Sequence, residues 1–163
     1  MARRSVHSAE KTRVAACDTR QPLRMPQSRA FNLHAIDDLA RSQGGVITHG
    51  QLVSLGMSSS SISRWTRTGG RWQRLLPATY LVHRGTPTFL ERAHAATQYG
   101  GPGALHTGLG ALRLYGLYNL PCAPQDLPLQ VLIHRERQLR SASFLTVERT
   151  QRMPEPVSVG GFA

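Results

Sequence analysis

Two helix starts stand ten residues apart, at Thr48 and Ser58, and they leave room for little except two short helices meeting at a tight turn. In VITHGQLVSLG, Thr48 and Gln51 have the spacing of a capping box. The threonine hydroxyl accepts from the backbone amide three residues on, and the glutamine side chain reaches back to the threonine amide. Ile47 before the cap and Leu52 four positions into the helix make a hydrophobic staple. This helix is expected to run to about Leu55 and to end at Gly56. MSSSSISRWTRTGG repeats the logic at once, with Ser58 as N-cap, Met57 stapled to Ile62, and Gly69 closing the helix.

The flanking segments extend the pattern. Leu33, Ile36, Leu39 and Ala40 recur at helical spacing and stop at Gly44-Gly45, which reads as an earlier helix with a glycine C-terminus. RWQRLL and TYLVH lie on either side of Pro77-Ala78, the composition of a tight β-hairpin. Helix, helix-turn-helix and hairpin form a winged-helix order over residues 33–84. After Pro87, TFLERAHAATQYG opens with a Thr88-x-x-Glu91 capping box and ends at Gly100-Gly101. TGLGALRLYGL, beyond the GPG punctuation, reads as a further helix capped by Thr107. LQVLIH and FLTVERT read as strands joined by the basic segment RERQLRSAS. The fold class is therefore α+β: a winged helix-turn-helix followed, at 86–160, by a small α/β domain with two helices and at least two strands. The last ten residues are expected to be weakly ordered.

Charge narrows the functional classes. Lys plus Arg number 20 against 9 Asp plus Glu, a formal charge of +11, so the surface attracts polyanions and nucleic acid leads the candidate partners. No run approaches the roughly 18 apolar residues of a membrane span, and no secretory signal pattern opens the chain, so a soluble, cytoplasmic protein is expected. Cys17 and Cys122 form no ligand pair and read as free thiols. The only lysine is Lys11, which removes lysine-dependent catalysis from the folded part. Seven histidines form no HxH, HExxH or HxxxH, so no metal or other cofactor is expected. Among the acidic residues, Asp37 and Asp38 are adjacent in the first helix and Glu91 serves a cap. Only their count links Asp126, Glu136 and Glu148, so no catalytic residue is assigned and an enzyme is not expected.

Residues 1–30 hold seven basic and two acidic side chains and no Ile, Phe, Trp or Tyr, the composition of a disordered basic arm. Met25 offers an alternative start within it. Between Leu39 and Leu90 the chain has six arginines and no carboxylate. A helix in the DNA major groove needs an apolar side for docking and an opposite side with short or long polar groups. Ile62 and Trp65 supply the first; Ser59, Ser60, Ser63, Arg64 and Arg67 supply the second. In the hairpin, Arg71, Gln73 and Arg74 are placed to reach flanking phosphates, with Trp72 facing inward. Neutralising about five phosphates of double-stranded DNA would give a salt slope of about −4 to −5.

The stretch LARSQGGVITHGQLVSLGMSSSSISRWTRTGGRWQRLLPATYLVH resembles the N-terminal winged-helix domain of AbiEi-type antitoxins of type IV toxin-antitoxin systems. GPGALHTGLGALRLYGL, LQVLIH and FLTVERTQRMPEP follow the order of the next domain in those proteins, so the resemblance covers about Leu33 to Gly161. It implies an autorepressor that binds its operator through the second capped helix and wing, with Ser59, Ser60, Ser63, Arg64, Arg67, Arg71 and Arg74 as contacts. It also implies a nucleotidyltransferase-like toxin as partner. Two departures stand out: Ala78 replaces the glycine usual in the hairpin turn, and the chain stops at VGGFA where relatives continue, which implies a truncated second domain. The alternative reading is a protein-interaction module that binds a toxin or another copy of itself with little DNA binding.

Overall fold

The computed structural model describes residues 31–123, 125–158 and 160–162. The basic arm at 1–30, with Lys11, Cys17 and Met25, lies outside the described residues. Helix α1 (Leu33–Ser42) starts at Asn32, whose side-chain oxygen accepts from the Ala35 amide at 3.3 Å. It stops where Gly44 turns left-handed (φ 64°), and the Gly45 amide returns to the Ala40 carbonyl at 2.8 Å, closing a Schellman cap. Strand β1 (Val46–Thr48) follows, an element the sequence pattern did not indicate. It is only three residues long, and its last residue already caps the next helix.

That helix, α2 (His49–Ser54), has the expected capping box: the Gln51 amide donates to Thr48 Oγ1 at 3.3 Å and the Thr48 amide to Gln51 Oε1 at 2.9 Å. Gly56 (φ 89°) lets the chain reverse, and the Met57 amide bonds the Leu52 carbonyl at 2.9 Å. Helix α3 (Ser59–Thr66) then begins from Ser58, whose hydroxyl accepts from the Ser61 amide at 3.2 Å. It ends at Thr66, earlier than the expected Gly69. Arg67 is an extended C-cap (ψ 167°), and the Trp65 carbonyl is taken by the Trp72 amide at 3.0 Å, so the chain leaves the helix before the glycine.

Strands β2 (Gln73–Leu76) and β3 (Thr79–Leu81) form the hairpin, and β1 pairs antiparallel with β3 on its other side, giving the order β1-β3-β2. At the turn, proline fixes an ordinary φ at Pro77, while Ala78 is left-handed (φ 55°), the pattern of a type II turn without its preferred glycine. Side-chain alternation divides this sheet cleanly. Ile47, Tyr80 and Trp72 face α1–α3 and pack with Ile36, Ala40, Leu52, Met57 and Ile62. Val46, Leu81 and Leu75, joined by Leu76 beyond a register shift in β2, face the other way. There they meet Ala93, Ala95 and Ala96 of α4 (Phe89–Gly100), together with Leu129, Val131 and Leu145. The small sheet is thus covered on both faces, and the segments 33–84 and 86–160 share one of its two cores.

The second sheet has the order β4-β5-β6, from β4 (Leu105–Thr107), β5 (Leu129–His134) and β6 (Leu145–Thr150). Strand β4 was also unexpected from sequence. It pairs antiparallel with β5, and β5 pairs in parallel with β6 through a crossing that contains no helix. Thr107 leads into α5 (Gly108–Leu114), but its hydroxyl makes no cap bond, contrary to expectation. Its backbone is still paired with Gln130 and is more extended (φ −133°) than that of Thr48 (−93°) or Thr88 (−71°). Residues 154–158 are exposed, whereas Phe162 is buried between the rings of His94 and His106, at centroid distances of 4.5 and 5.5 Å. The chain is a mixed α+β protein with, among the described residues, five helices and two three-stranded sheets. Among the described residues, no helix is long and apolar enough to cross a membrane, and Cys122 is a half-buried free thiol.

Candidate nucleic-acid interface

Helix α3 docks through Ile62, which is 1% exposed, and through the half-buried Trp65. The Trp65 ring meets Trp72 edge-on at 4.6 Å and Phe31 at 5.5 Å, so aromatic contacts fix the helix against the start of β2. Ser59, Ser60, Ser63, Arg64 and Arg67 are all exposed. Their chemistry is not uniform. Ser60 Oγ lies 3.0 Å from the capping Ser58 Oγ and is tied to the helix start, while the hydroxyls of Ser59 and Ser63 have no side-chain hydrogen bond among the described residues.

The hairpin brings two more guanidinium groups to this region. Arg71 lies over the Trp65 ring at 5.0 Å, so it is held against α3 by a cation–π contact. Arg74 stands opposite Tyr80 across β2 and β3, with its guanidinium 5.7 Å from the ring centroid. The Tyr80 hydroxyl lies 3.3 Å from His49 Nδ1 at the start of α2, which links the hairpin to that helix. Both arginines remain exposed. Among the described residues, Arg64, Arg67, Arg71 and Arg74 have no ion-pairing carboxylate; Arg41, by contrast, binds Asp38 at 2.9 Å.

Gln73 is not brought together with these groups. It is half-buried on the opposite face of β2, and its Nε2 donates to the carbonyls of His83 (3.1 Å) and Gly85 (2.6 Å). Its amide holds the chain beyond β3. Arg84 has a similar internal role: its Nη1 donates to the carbonyls of Arg67, Gly70 and Trp72 at 3.1–3.3 Å. It clamps the loop between α3 and β2. Charge counting grouped Arg84 with the other arginines, and the sequence held no signal that it faces carbonyls.

The carboxylate of Glu91 is also committed. Its Oε2 accepts from the Thr88 amide (2.7 Å) and hydroxyl (3.0 Å), and its Oε1 meets His83 Nε2 at 2.6 Å. The Gly85 amide donates to His83 Nδ1 at 3.0 Å, so Nε2 is the nitrogen that donates to Glu91. Burial pushes the Glu91 carboxyl upward, but the bonds from His83 and Thr88 together outweigh it and hold the group below its ordinary range. This pair joins the end of the hairpin to α4.

The other acidic candidates are scattered. Asp126, Glu136 and Glu148 are each exposed, with Glu136 lying 3.6 Å from His134 Nδ1. Among the described residues, no three His, Cys, Asp or Glu side chains are grouped as metal ligands. No protein-family model matches the chain, and no curated protein matches it.

Proposed function

We propose that residues 33–84 form a winged helix-turn-helix that binds double-stranded DNA, and that the protein is a sequence-specific transcriptional regulator of the cytoplasm. One observation supports this above the others: four exposed guanidinium groups, on α3 and the adjoining hairpin, have no ion-pairing carboxylate among the described residues. In this reading α3 enters the major groove, where Ser59 and Ser63 approach base edges and Arg64 and Arg67 reach bases and phosphates. Arg71 and Arg74 hold flanking phosphates from the wing. Ser60 shapes the helix start, while Gln73 and Arg84 keep the wing and helix in register.

Four neutralised phosphates give a slope of log affinity against log salt of roughly −3.6. The test is a gel-shift titration across salt concentrations, using duplexes selected from a random pool. Arg64→Ala combined with Arg67→Ala should bring the slope to about −1.8 and weaken binding to every selected duplex. Unchanged DNA binding by that double variant eliminates the reading.

We further propose, from the AbiEi-type resemblance, that the protein is an antitoxin repressing its own operon. The exposed Tyr115, Leu117 and Tyr118 after α5 would meet the nucleotidyltransferase-like toxin. Pull-down of a co-encoded protein of that type, retained by the arginine double variant and lost on Tyr118→Asp, is the expected result.

A further inference from the structure

Away from α3 and the hairpin, an open cleft of about 530 Å³ lies between the first turn of α4 and the end of α5. Its walls are mostly apolar: Phe89 and Leu90 from α4, Leu114 from α5, and the buried Phe162. His94 lines it too, with its ring centroid 4.5 Å from that of Phe162. Burial pushes this imidazole below its ordinary pKa, so it is neutral at neutral pH. Among the described residues, the one permanently charged side chain on these walls is Arg113. Clefts of about 300–1,000 Å³ with apolar walls and a few placed polar groups are the usual form of small-molecule sites.

An aromatic ring sets the position of Arg113. Its Cζ lies 4.1 Å from the ring centroid of Tyr118, which lines the same cleft. A ring engages one side of a guanidinium and leaves the other N–H groups for an acceptor. Among the described residues Arg113 has neither an ion-pairing carboxylate nor a hydrogen-bond acceptor. No carboxylate lines the cleft, since Glu91, the one acidic residue of α4, accepts from Thr88 and His83 instead.

Charge and shape together select the ligand. A guanidinium presents a planar fork of donors that matches a carboxylate through two parallel hydrogen bonds. A cation would be repelled by Arg113 and by the formal charge of +11. A phosphate would meet a single cation and then hydrocarbon, leaving polar oxygens unsatisfied. The aromatic faces of Phe89, Phe162 and Tyr118 suit a flat ring system. We propose that this cleft binds a small aromatic monocarboxylate, its carboxylate paired with Arg113 and its rings against Phe89, Leu90 and Phe162. The site does not rest on the DNA-binding reading. It shares Tyr118 with the surface proposed for the toxin, so its test uses other residues.

That test is titration of the isotopically labelled full chain with naphthoate and with naphthamide, which has the same rings and no charge, followed in amide NMR spectra. Naphthoate should produce saturable shifts at Leu90, His94, Arg113 and Tyr118, with a Kd on the order of 0.1 mM, the range open to a ligand of that size. Naphthamide should bind about 10-fold more weakly. Arg113→Gln should weaken naphthoate about 10-fold and leave naphthamide unchanged. It should remain folded, because the side chain it replaces contacts only the exposed Tyr118 ring among the recorded polar and ring partners. Leu90→Ala, at an exposed position, should weaken both ligands alike, by about 3-fold or more. Shifts that do not saturate, equal affinity for the two compounds, or binding unaltered in either variant would overturn the proposal. So would naphthoate shifts centred on the arginines of α3 and the hairpin, which would mean general attraction of anions to a basic surface.

Discussion

Residues 33–84 and 86–162 use the same parts, short capped helices against a three-stranded sheet, but they dispose of their polar groups in opposite ways. The first segment has six arginines against two aspartates, and both aspartates sit on α1. Its threonine and serine caps are bonded to their helices, and the four guanidiniums that have no ion-pairing carboxylate among the described residues stay outside. The second segment is more evenly charged, with seven arginines against five carboxylates, yet it buries an imidazole and leaves a cap hydroxyl unused. The difference teaches that chemistry need not follow net charge. The segment with the stronger charge bias presents its polar groups to solvent, and the more balanced one keeps two polar atoms, His106 Nδ1 and Thr107 Oγ1, inside without a partner among the described residues.

The largest expected effect tests whether these segments are one folding unit. Trp72→Ala, in the core beneath α1–α3, should cost about 3–5 kcal/mol, and Leu129→Ala, across the first sheet, about 2–5 kcal/mol. Because β1-β3-β2 is covered on both faces, each variant should shift the same single urea transition, followed by circular dichroism. Two separate transitions would break the comparison into two independent domains.

Next in size is acid sensitivity. His106 has its folded pKa pushed down to about 4 from an ordinary 6.5, mainly by burial and secondarily by the charge of His94. As pH falls below about 6.5 the unfolded chain takes up this proton first, so stability is full above that value and declines until about pH 4, by roughly 2–3 kcal/mol. Burial lowers His94 as well, which adds to the loss. Glu91, held below its ordinary 4.5, adds a further loss below that pH as its bonds to His83 and Thr88 are protonated away. Urea midpoints at pH 7, 5.5 and 4 measure the trend, and His106→Gln should flatten the part above pH 4.5.

A smaller effect sharpens the contrast between the caps. Thr48→Ala and Thr88→Ala should each cost about 1 kcal/mol, and Thr107→Val less than about 0.5 kcal/mol, in the same denaturation experiment. Smallest is the turn. Ala78→Gly relieves a left-handed alanine but frees the unfolded chain, so a net gain of about 0.5–1 kcal/mol is expected in the melting curve.

The parts of this fold that were legible in the sequence are those fixed by neighbours along the chain. The boxes at Thr48/Gln51 and Thr88/Glu91 depend on a three-residue spacing, and the staples Ile47–Leu52 and Met57–Ile62 on a five-residue one; the structure contains both boxes and buries all four staple residues in one core. Strands β1 and β4 were not legible because each is three residues long and owes its existence to a partner far away, Leu81 for Val46 and Leu132 for Leu105. The candidate interface divides along the same line. Exposure of the α3 serines and arginines follows from helical period, whereas the internal roles of Gln73 and Arg84 depend on carbonyls brought close only by the completed hairpin. The unused hydroxyl of Thr107 had no local signature at all, since a threonine before a helix reads as a cap wherever it stands.

The edge-on pair Trp65 and Trp72 accounts for both tryptophans in the chain, and Arg71 lies over the Trp65 ring. Intrinsic emission excited at the indole band therefore originates wholly from the junction of α3 with β2. A duplex that draws the Arg71 guanidinium away would change the colour or yield of that emission without any attached dye, so the protein contains an optical gauge at the surface where DNA is proposed to bind.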